Sequence, residues 1–386
     1  MTPNLPRRQT GRRGLRLWPV GTVLVLTFAT AIAVASAVFY VGWDLLGAQG
    51  LRSERRIDSK TLFDLVKVSF GVVAGAGALV ALVVAYRRQR VDEDAALRDV
   101  TRLHNERFTT AVSQLGDESA AVRLGGVHAL AGLADDAPTR ELRQTCIDVL
   151  CSYLRLPYTA EADLPSGDPD GRHTYLALRE VRHTIIRLIR DHLRLAREHP
   201  HSWQGHDLDF TGVVFDGGDF DGAVFSGGLV NFHRAEFSSG TVGFAAAKFV
   251  GANVGFGDAM FSGGEVYFAQ AVFSGGMVNF FRAVFSSGTV GFNHAEFTDG
   301  QVVFNQVTFS GATVDFDGAV FSGGTVSFTR AEFSGATVDF SYATFSGAEV
   351  DLSYARGVAP AGLVPSGAQS LPTGLTLPAA WLSRGP

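Results

Sequence analysis

Cys146 and Cys151 are the only two thiols in the 386-residue chain, and their i, i+5 spacing fits neither a zinc-ligand nor a redox motif. They read as buried, reduced cysteines. The 10 histidines are dispersed. His199, His201 and His206 share one linker but lack HExxH or His/Cys ligand spacing, so no metal is expected. No phosphate loop precedes a strand–helix unit, no nucleophile elbow is present, and no carboxylates form an acid–base pair. Catalytic residues and cofactors are therefore expected to be absent, and the chain is read as non-enzymatic. Its late carboxylates, including Asp258, Glu265, Glu296, Asp315 and Asp339, are scattered rather than gathered on one face.

The formal net charge of −5 hides an uneven distribution. Residues 205–355 hold four basic side chains (Arg234, Lys248, Arg282 and Arg330) against 16 acidic ones, a local balance of −12 that leaves +7 elsewhere. A net acidic surface repels phosphate, which disfavours nucleic acid as a partner. Glycine is abundant at 45 residues, without the every-third spacing of collagen.

Two early runs are uncharged, Leu17–Val41 and Val68–Tyr86. At ~1.5 Å per helical residue both are long enough to cross ~30 Å of hydrocarbon. Transmembrane helices are expected over 17–43 and 66–86, joined by a loop over 44–65 and preceded by a basic tail, 1–16. Trp18, Tyr40, Trp43 and Tyr86 sit at the run ends, where aromatic rings favour the headgroup layer. Gly71 and Gly75 form a GxxxG that allows close contact with a partner helix or with a second copy. Arginines crowd before the first run (Arg7, Arg8, Arg12, Arg13, Arg16) and after the second (Arg87, Arg88, Arg90). The loop cations Arg52, Arg55, Arg56 and Lys60 are interspersed with acids. This pattern favours a two-pass hairpin in the cell membrane, with both termini cytoplasmic and the lipid bilayer as a partner. The rival is a cleaved signal peptide ending near Ala35-Ser36-Ala37. The second run would then stop transfer and leave the bulk of the chain on the same side.

Residues 87–200 read as a helical segment. Val91–Gln114 continues out of the second run, and Ser119–Asp135 places Val122, Leu124, Val127, Leu130 and Leu133 roughly on one face. Asp136 is the expected N-cap of a helix over Thr139–Arg155, with Pro138 in its first turn. A third helix over Thr174–Glu198 turns Leu178, Val181, Ile185, Leu188, Ile189 and Leu193 to one side. Arg179, Arg182, Arg187, Arg190 and Arg194 lie outside that stripe. Such a face could attract anionic lipid or nucleic acid, but interruption by Glu180, Asp191 and Glu198 makes a solvated face the preferred reading. The run Ala121-Val122-Arg123-Leu124-Gly125-Gly126-Val127-His128-Ala129-Leu130, followed by a second helix, resembles the HEAT-like pair found ahead of pentapeptide repeats in bacterial membrane proteins.

From Phe210 onward, 24 of the 30 phenylalanines fall on a grid. Phe210, Phe215, Phe220 and Phe225 are five apart. Spacing then alternates seven and five through Phe232, Phe237, Phe244, Phe249, Phe256, Phe261, Phe268, Phe273, Phe280, Phe285, Phe292, Phe297, Phe304, Phe309, Phe316, Phe321, Phe328, Phe333, Phe340 and Phe345. Two residues before each stands alternately Val or Ala, so Val-x-Phe and Ala-x-Phe read as short strands whose outer members point inward. Stacked units would bring equivalent rings together at the ~4.8 Å strand spacing. A 12-residue coil leaves little room for two Phe, a Val and an Ala. A 24-residue coil with four short sides is preferred, giving about six coils and a rod of roughly 29 Å. Ala223-Val224-Phe225-Ser226-Gly227 and its neighbours resemble the pentapeptide-repeat family over about 207–354. The resemblance implies a right-handed quadrilateral parallel β-helix, from which this chain departs by two extra residues in every second pentapeptide.

The fold class is thus mixed: two transmembrane α-helices, an α-helical middle and a C-terminal β-solenoid over 205–355, followed by a flexible Pro/Gly-rich tail, 356–386. The implied function is a membrane-anchored scaffold that presents an acidic solenoid to an unknown protein partner. Homodimerisation through the membrane helices or the solenoid end is also allowed. The alternative is a DNA mimic that binds or protects a topoisomerase, a role the resemblance suggests for some members.

Overall fold

The computed structural model describes residues 20–45, 58–161, 164–165, 167–364 and 370–382. The chain divides into two units, Met1–Val100 and Thr101–Pro386.

The first unit contains α1 (Val20–Leu45) and most of α2 (Ser59–Leu115). The sequence places 44–65 in a loop, but α2 starts at Ser59. Asp58 closes its first turn, with its carbonyl accepting the Leu62 amide at 3.1 Å and its carboxylate the Ser59 amide at 2.8 Å. The basic tail 1–16, Trp18 and the loop cations Arg52, Arg55 and Arg56 lie outside the described residues. Among the described residues, one helix is long and apolar enough to cross a membrane, over Leu62–Leu115, and its apolar stretch is not buried. The described apolar side chains of α1, such as Val25, Phe28, Ile32 and Phe39, are exposed as well. Phe28, Ile32, Val72, Gly75, Leu79 and Leu82 line an apolar cleft of about 660 Å³.

In the second unit, α3 (Ala120–Asp135), α4 (Arg140–Leu154) and α5 (Pro169–Arg194) share a core of Val127, Leu130, Leu133, Ile147, Leu150, Ile185 and Ile189. Gly126 sits where α3 meets the end of α2, and a Cβ there would lie 2.5 Å from the Leu115 nitrogen. Val122, assigned to the buried face by periodicity, is exposed. Two helix starts also differ from expectation. Asp136 is the C-cap of α3 rather than the N-cap of α4, and Thr139 caps α4 by accepting the Leu142 amide. Pro138 therefore precedes the helix. Helix α5 begins at Pro169 instead of Thr174, because Asp168 accepts the Gly171 amide and proline suits the first turn.

The rest of the second unit is a parallel β-solenoid. Val230 pairs with Val254 and Phe237 with Phe261, so one coil takes 24 residues. Four short strands make each coil, as in Leu229–Asn231, Glu236–Phe237, Thr241–Gly243 and Lys248–Phe249. One face contains seven strands, so the solenoid has about seven turns rather than six. The first coil is shorter, with Leu208 pairing Val230 at 22 residues. The missing two residues come from the corner between Phe215 and Phe220.

The grid phenylalanines fill the interior. All are buried except Phe345, in the last rung, which is partly buried. They form four columns of parallel rings. One runs Phe232, Phe256, Phe280, Phe304, Phe328 with centroids 4.6–4.7 Å apart and planes within 5°. Between two of the columns the contacts are edge-to-face, as for Phe256 and Phe268 at 6.0 Å and 83°, while neighbouring columns meet at a tilt, as for Phe268 and Phe273 at 6.5 Å and 42°. Strand pairing imposes the parallel stack along the axis, while the ring quadrupole favours the perpendicular contact across it.

Turns between the half-coils are strained in a regular way. The Ala235 amide donates to the Phe232 carbonyl, and Arg234, third in the turn, has φ of +56°. A type II turn needs positive φ there, which favours glycine. Gly212, Gly222 and Gly318 meet the requirement, but nine other turns hold Arg234, Ala246, Asp258, Gln270, Arg282, His294, Gln306, Arg330 and Tyr342 in the left-handed region. The residue before each Phe often supports its turn. Asn231, Asp315, Asp339 and Asp351 accept the amide two residues ahead at 2.8–3.1 Å. Several scattered acids are thus explained locally.

The tail is not a flexible extension in its described parts. Arg356–Gly357 pairs with Glu332–Phe333, and Leu375–Thr376 pairs with Glu349–Asp351. Leu363, Leu375, Leu377 and Trp381 are buried. Trp381 lies edge-on to Phe333 at 5.7 Å and donates through Nε1 to the Gly357 carbonyl at 2.9 Å. An open final coil would expose rings and unpaired strand edges, so this segment is held by burial and pairing despite its Pro/Gly content.

Two outcomes are expected in denaturant titrations of the detergent-solubilised full chain. Phe292→Ala should cost about 3–5 kcal/mol through the cavity it leaves; an unchanged midpoint would contradict the packed column. Ala246→Gly should be neutral or stabilising by up to about 1 kcal/mol, since relief of the left-handed cost outweighs the entropy glycine adds to the unfolded chain. A clear loss of stability would show that the turn carries no such strain.

Candidate functional site

The densest polar cluster joins α5 to the first coil of the solenoid. Sequence reasoning treats the arginine-rich face of α5 as solvated. The structure corrects this, because Arg182 is 4% exposed and its neighbours meet the acidic corner Asp216-Gly217-Gly218-Asp219-Phe220-Asp221. Helical spacing brings Tyr175, Arg179, Arg182, His183, Arg190 and Arg194 toward that corner. The two glycines admit the helix. A Cβ on Gly217 would lie 3.1 Å from His183 Cε1, and one on Gly218 would lie 3.1 Å from Ile186 Cδ1.

Asp216 is the centre, with a side chain 2% exposed. Its Oδ2 accepts hydrogen bonds from the Tyr158 hydroxyl at 2.6 Å and the Tyr175 hydroxyl at 2.7 Å. His183 Nε2 lies 3.4 Å from Oδ1, and Arg179 Nε 4.0 Å from Oδ2. Arg182 lies over the Tyr158 ring, 4.0 Å from its centroid, and donates to the Leu154 and Val214 carbonyls, both at 2.6 Å. It thereby ties the end of α4 to the first coil. Arg190 pairs with Asp219 and Asp191, Arg155 pairs with Asp209, and Arg194 donates to the Asp221 carbonyl at 2.6 Å.

Burial alone would raise the Asp216 carboxyl, but hydrogen bonds from His183, Tyr158 and Tyr175 outweigh it and bring the group down to about 2. Burial, and then the Asp216 contact, pushes Tyr175 up to about 12 and moves Tyr158 upward too. The carboxylate stays charged and both phenols stay protonated at neutral pH. Such a cluster fastens two elements together.

The other reactive types are parted. Cys146 and Cys151 are buried and unbridged, and burial pushes their thiols up to about 11 and about 12, far from nucleophilic thiolates. His199 Nδ1 accepts the His201 amide, His201 faces Asp135 at 3.8 Å, and His206 contacts Gln144. Burial, with Arg140 and Arg143 nearby, lowers His206 to about 4. His192 stacks on the buried Trp203 at 4.1 Å, and both reach Asp135. Sequence reasoning missed the Asp216 cluster. Its one visible signal is the five-residue spacing at Phe215–Phe220, where later coils have seven.

Because Asp216 sits near 2 in the folded chain and near 3.9 when unfolded, its contribution is complete above about pH 4 and lost as pH falls through about 2. That contribution is about 2 kcal/mol. Asp216→Asn should lower neutral-pH stability by roughly this amount and flatten the difference from the parent chain below pH 4, measured as urea midpoints across pH 2–7. Equal midpoints at pH 7 would remove Asp216 from the joint.

A protein-family model described as pentapeptide repeats (9 copies) matches residues 304–356. No curated protein and no solved structure matches the chain. The matched segment lies within the β-solenoid, so pentapeptide repeats and the solenoid fold coincide here.

Proposed function

We propose that the protein is a non-enzymatic, membrane-anchored scaffold whose solenoid offers its lateral faces to a protein partner on the cytoplasmic side. In this reading 17–43 and 66–86 both span the bilayer as a hairpin, α3 and α4 form a HEAT-like pair, and the coils wind right-handed. The observation that carries it is how completely the solenoid's own side chains are used. The interior is filled with phenylalanine, and the final coil is covered by the chain's own tail. What is left for recognition is the lateral surface, as in other stacked-repeat proteins. The exposed apolar stretch in α2 supports the anchor. The covered end favours the membrane helices over the solenoid end for any homodimer.

The DNA-mimic alternative draws on the acidic balance of the solenoid. Most of those acids are engaged within the chain. Asp207, Asp209, Asp219 and Asp221 accept backbone amides, as do Asp299, Asp315, Asp339 and Asp351, while Asp258 pairs with Arg282. Carboxylates placed by turn geometry do not reproduce the regular spacing of a phosphate backbone.

Fluorescent-protein fusions after residue 90 and at the C-terminus should be bright, and alkaline phosphatase fusions at the same points inactive. The reverse pattern would overturn the orientation. Photo-crosslinkers at exposed lateral positions such as Thr313 and Thr337 should capture a discrete protein adduct in cells. Inhibition of topoisomerase supercoiling by the purified chain would favour the mimic instead.

A further inference from the structure

A polar cavity lies outside the Asp216 joint, between the start of α4, the linker over 197–206 and the corner at Gly227-Gly228. Its volume is about 500 Å³, within the range of small-ligand sites. Arg140, Arg143, Arg197, His199, His206 and Thr139 are among its lining residues, and the lining includes no carboxylate.

The wall is held in place by its own hydrogen bonds. Arg143 donates to the carbonyls of Ala134 at 2.8 Å, Asp135 at 3.2 Å and Ser202 at 3.4 Å, and Arg140 donates to that of Gly205. The linker lies directly on the solenoid corner, since a Cβ on Gly228 would be 2.6 Å from the His206 carbonyl oxygen. Both guanidinium charges are therefore fixed by neutral acceptors and keep their positive potential. Arg197 is exposed at the rim and forms no ion pair among the described residues. His199 uses Nδ1 as an acceptor for the His201 amide, which leaves its Nε2–H as a donor when the ring is neutral. Of the acids around the wall, Asp135 is engaged with His192 and Trp203, Asp136 with Arg107, and Asp207 with the Leu229 amide, while Glu198, between Arg197 and His199 in the chain, is exposed and does not line the cavity. Glu141, in the first turn of α4, is exposed and does not line the cavity.

We infer that this cavity binds a phosphoryl group, carried by a soluble phosphate ester or by a lipid headgroup. Fixed guanidinium groups and a rim arginine suit a multiply charged oxyanion, and the volume exceeds what one phosphate fills. Arg197 and His199 are the adaptable contacts; Arg140 and Arg143 supply the fixed field.

The test uses the full chain. Thermal unfolding in neutral detergent is followed with inorganic phosphate and with ADP. It is then followed in phosphatidylcholine nanodiscs with and without phosphatidylglycerol. Saturable stabilisation by phosphate or ADP, at least tenfold weaker in Arg197→Gln and His199→Gln and unchanged in Arg330→Gln, is expected for a soluble ester. Stabilisation that depends on Arg197 and arises only with phosphatidylglycerol would assign the headgroup as the source. Absence of Arg197-dependent stabilisation under every condition overturns the inference. Neither outcome depends on the scaffold reading.

Discussion

The solenoid rests on one constraint: phenylalanine rings must stack at the spacing of hydrogen-bonded strands. Rings 4.6–4.7 Å apart along a column leave no freedom in axial register, so each coil must repeat the same backbone path. Four rings per level, one pair of them perpendicular, need a wide interior, which a 12-residue coil cannot enclose and a 24-residue coil can. The turns inherit this demand. Positive φ recurs at one position of each half-coil even where an arginine or tyrosine occupies it, because the next ring must land in its column.

A stacked interior also has two ends that cannot be left open. The protein closes them by different chemistry. At the N-terminal end, α5 and the loop before it meet the first coil through a buried carboxylate and a row of arginines. At the C-terminal end, leucines and Trp381 cover the last rings, and short strands extend two of the faces. A charged joint fixes the angle and register of a helix against a sheet edge, whereas an apolar lid needs only to exclude water.

Much of the solenoid is legible in the sequence because its period is a direct image of its geometry. The alternating five and seven spacing of Phe232–Phe345 marks the strands, the corners and the coil size. The N-terminal joint is far less visible. An arginine outside an apolar stripe normally faces solvent, and nothing near Arg182 names Val214 or Tyr158 as neighbours. The partner acids lie some 30 residues downstream, in a corner whose only oddity is a two-residue deletion. The tail misleads for the opposite reason. Leu363, Leu375, Leu377 and Trp381 have no common period among their prolines and glycines, so composition suggests mobility, while their burial depends on a surface formed by other coils. Capping of α4 by Thr139 instead of Asp136 is a smaller lapse of the same type, a choice between adjacent good caps that tertiary packing decides.

The 24-residue coil has a consequence for how such a chain can change over time. Insertion or loss of one whole coil keeps every column continuous and returns the chain to the same angular position, so the terminal lid meets an equivalent surface. A change of 12 residues preserves the stacking but delivers the lid half a turn away, on the opposite side of the rod. Other increments break the columns unless a corner absorbs them, as it does in the 22-residue first coil, where Phe210 still stacks on Phe232 at 4.8 Å. Length is therefore quantised, and a rod of this design acts as a ruler that evolution adjusts in fixed steps of about 4.8 Å per coil.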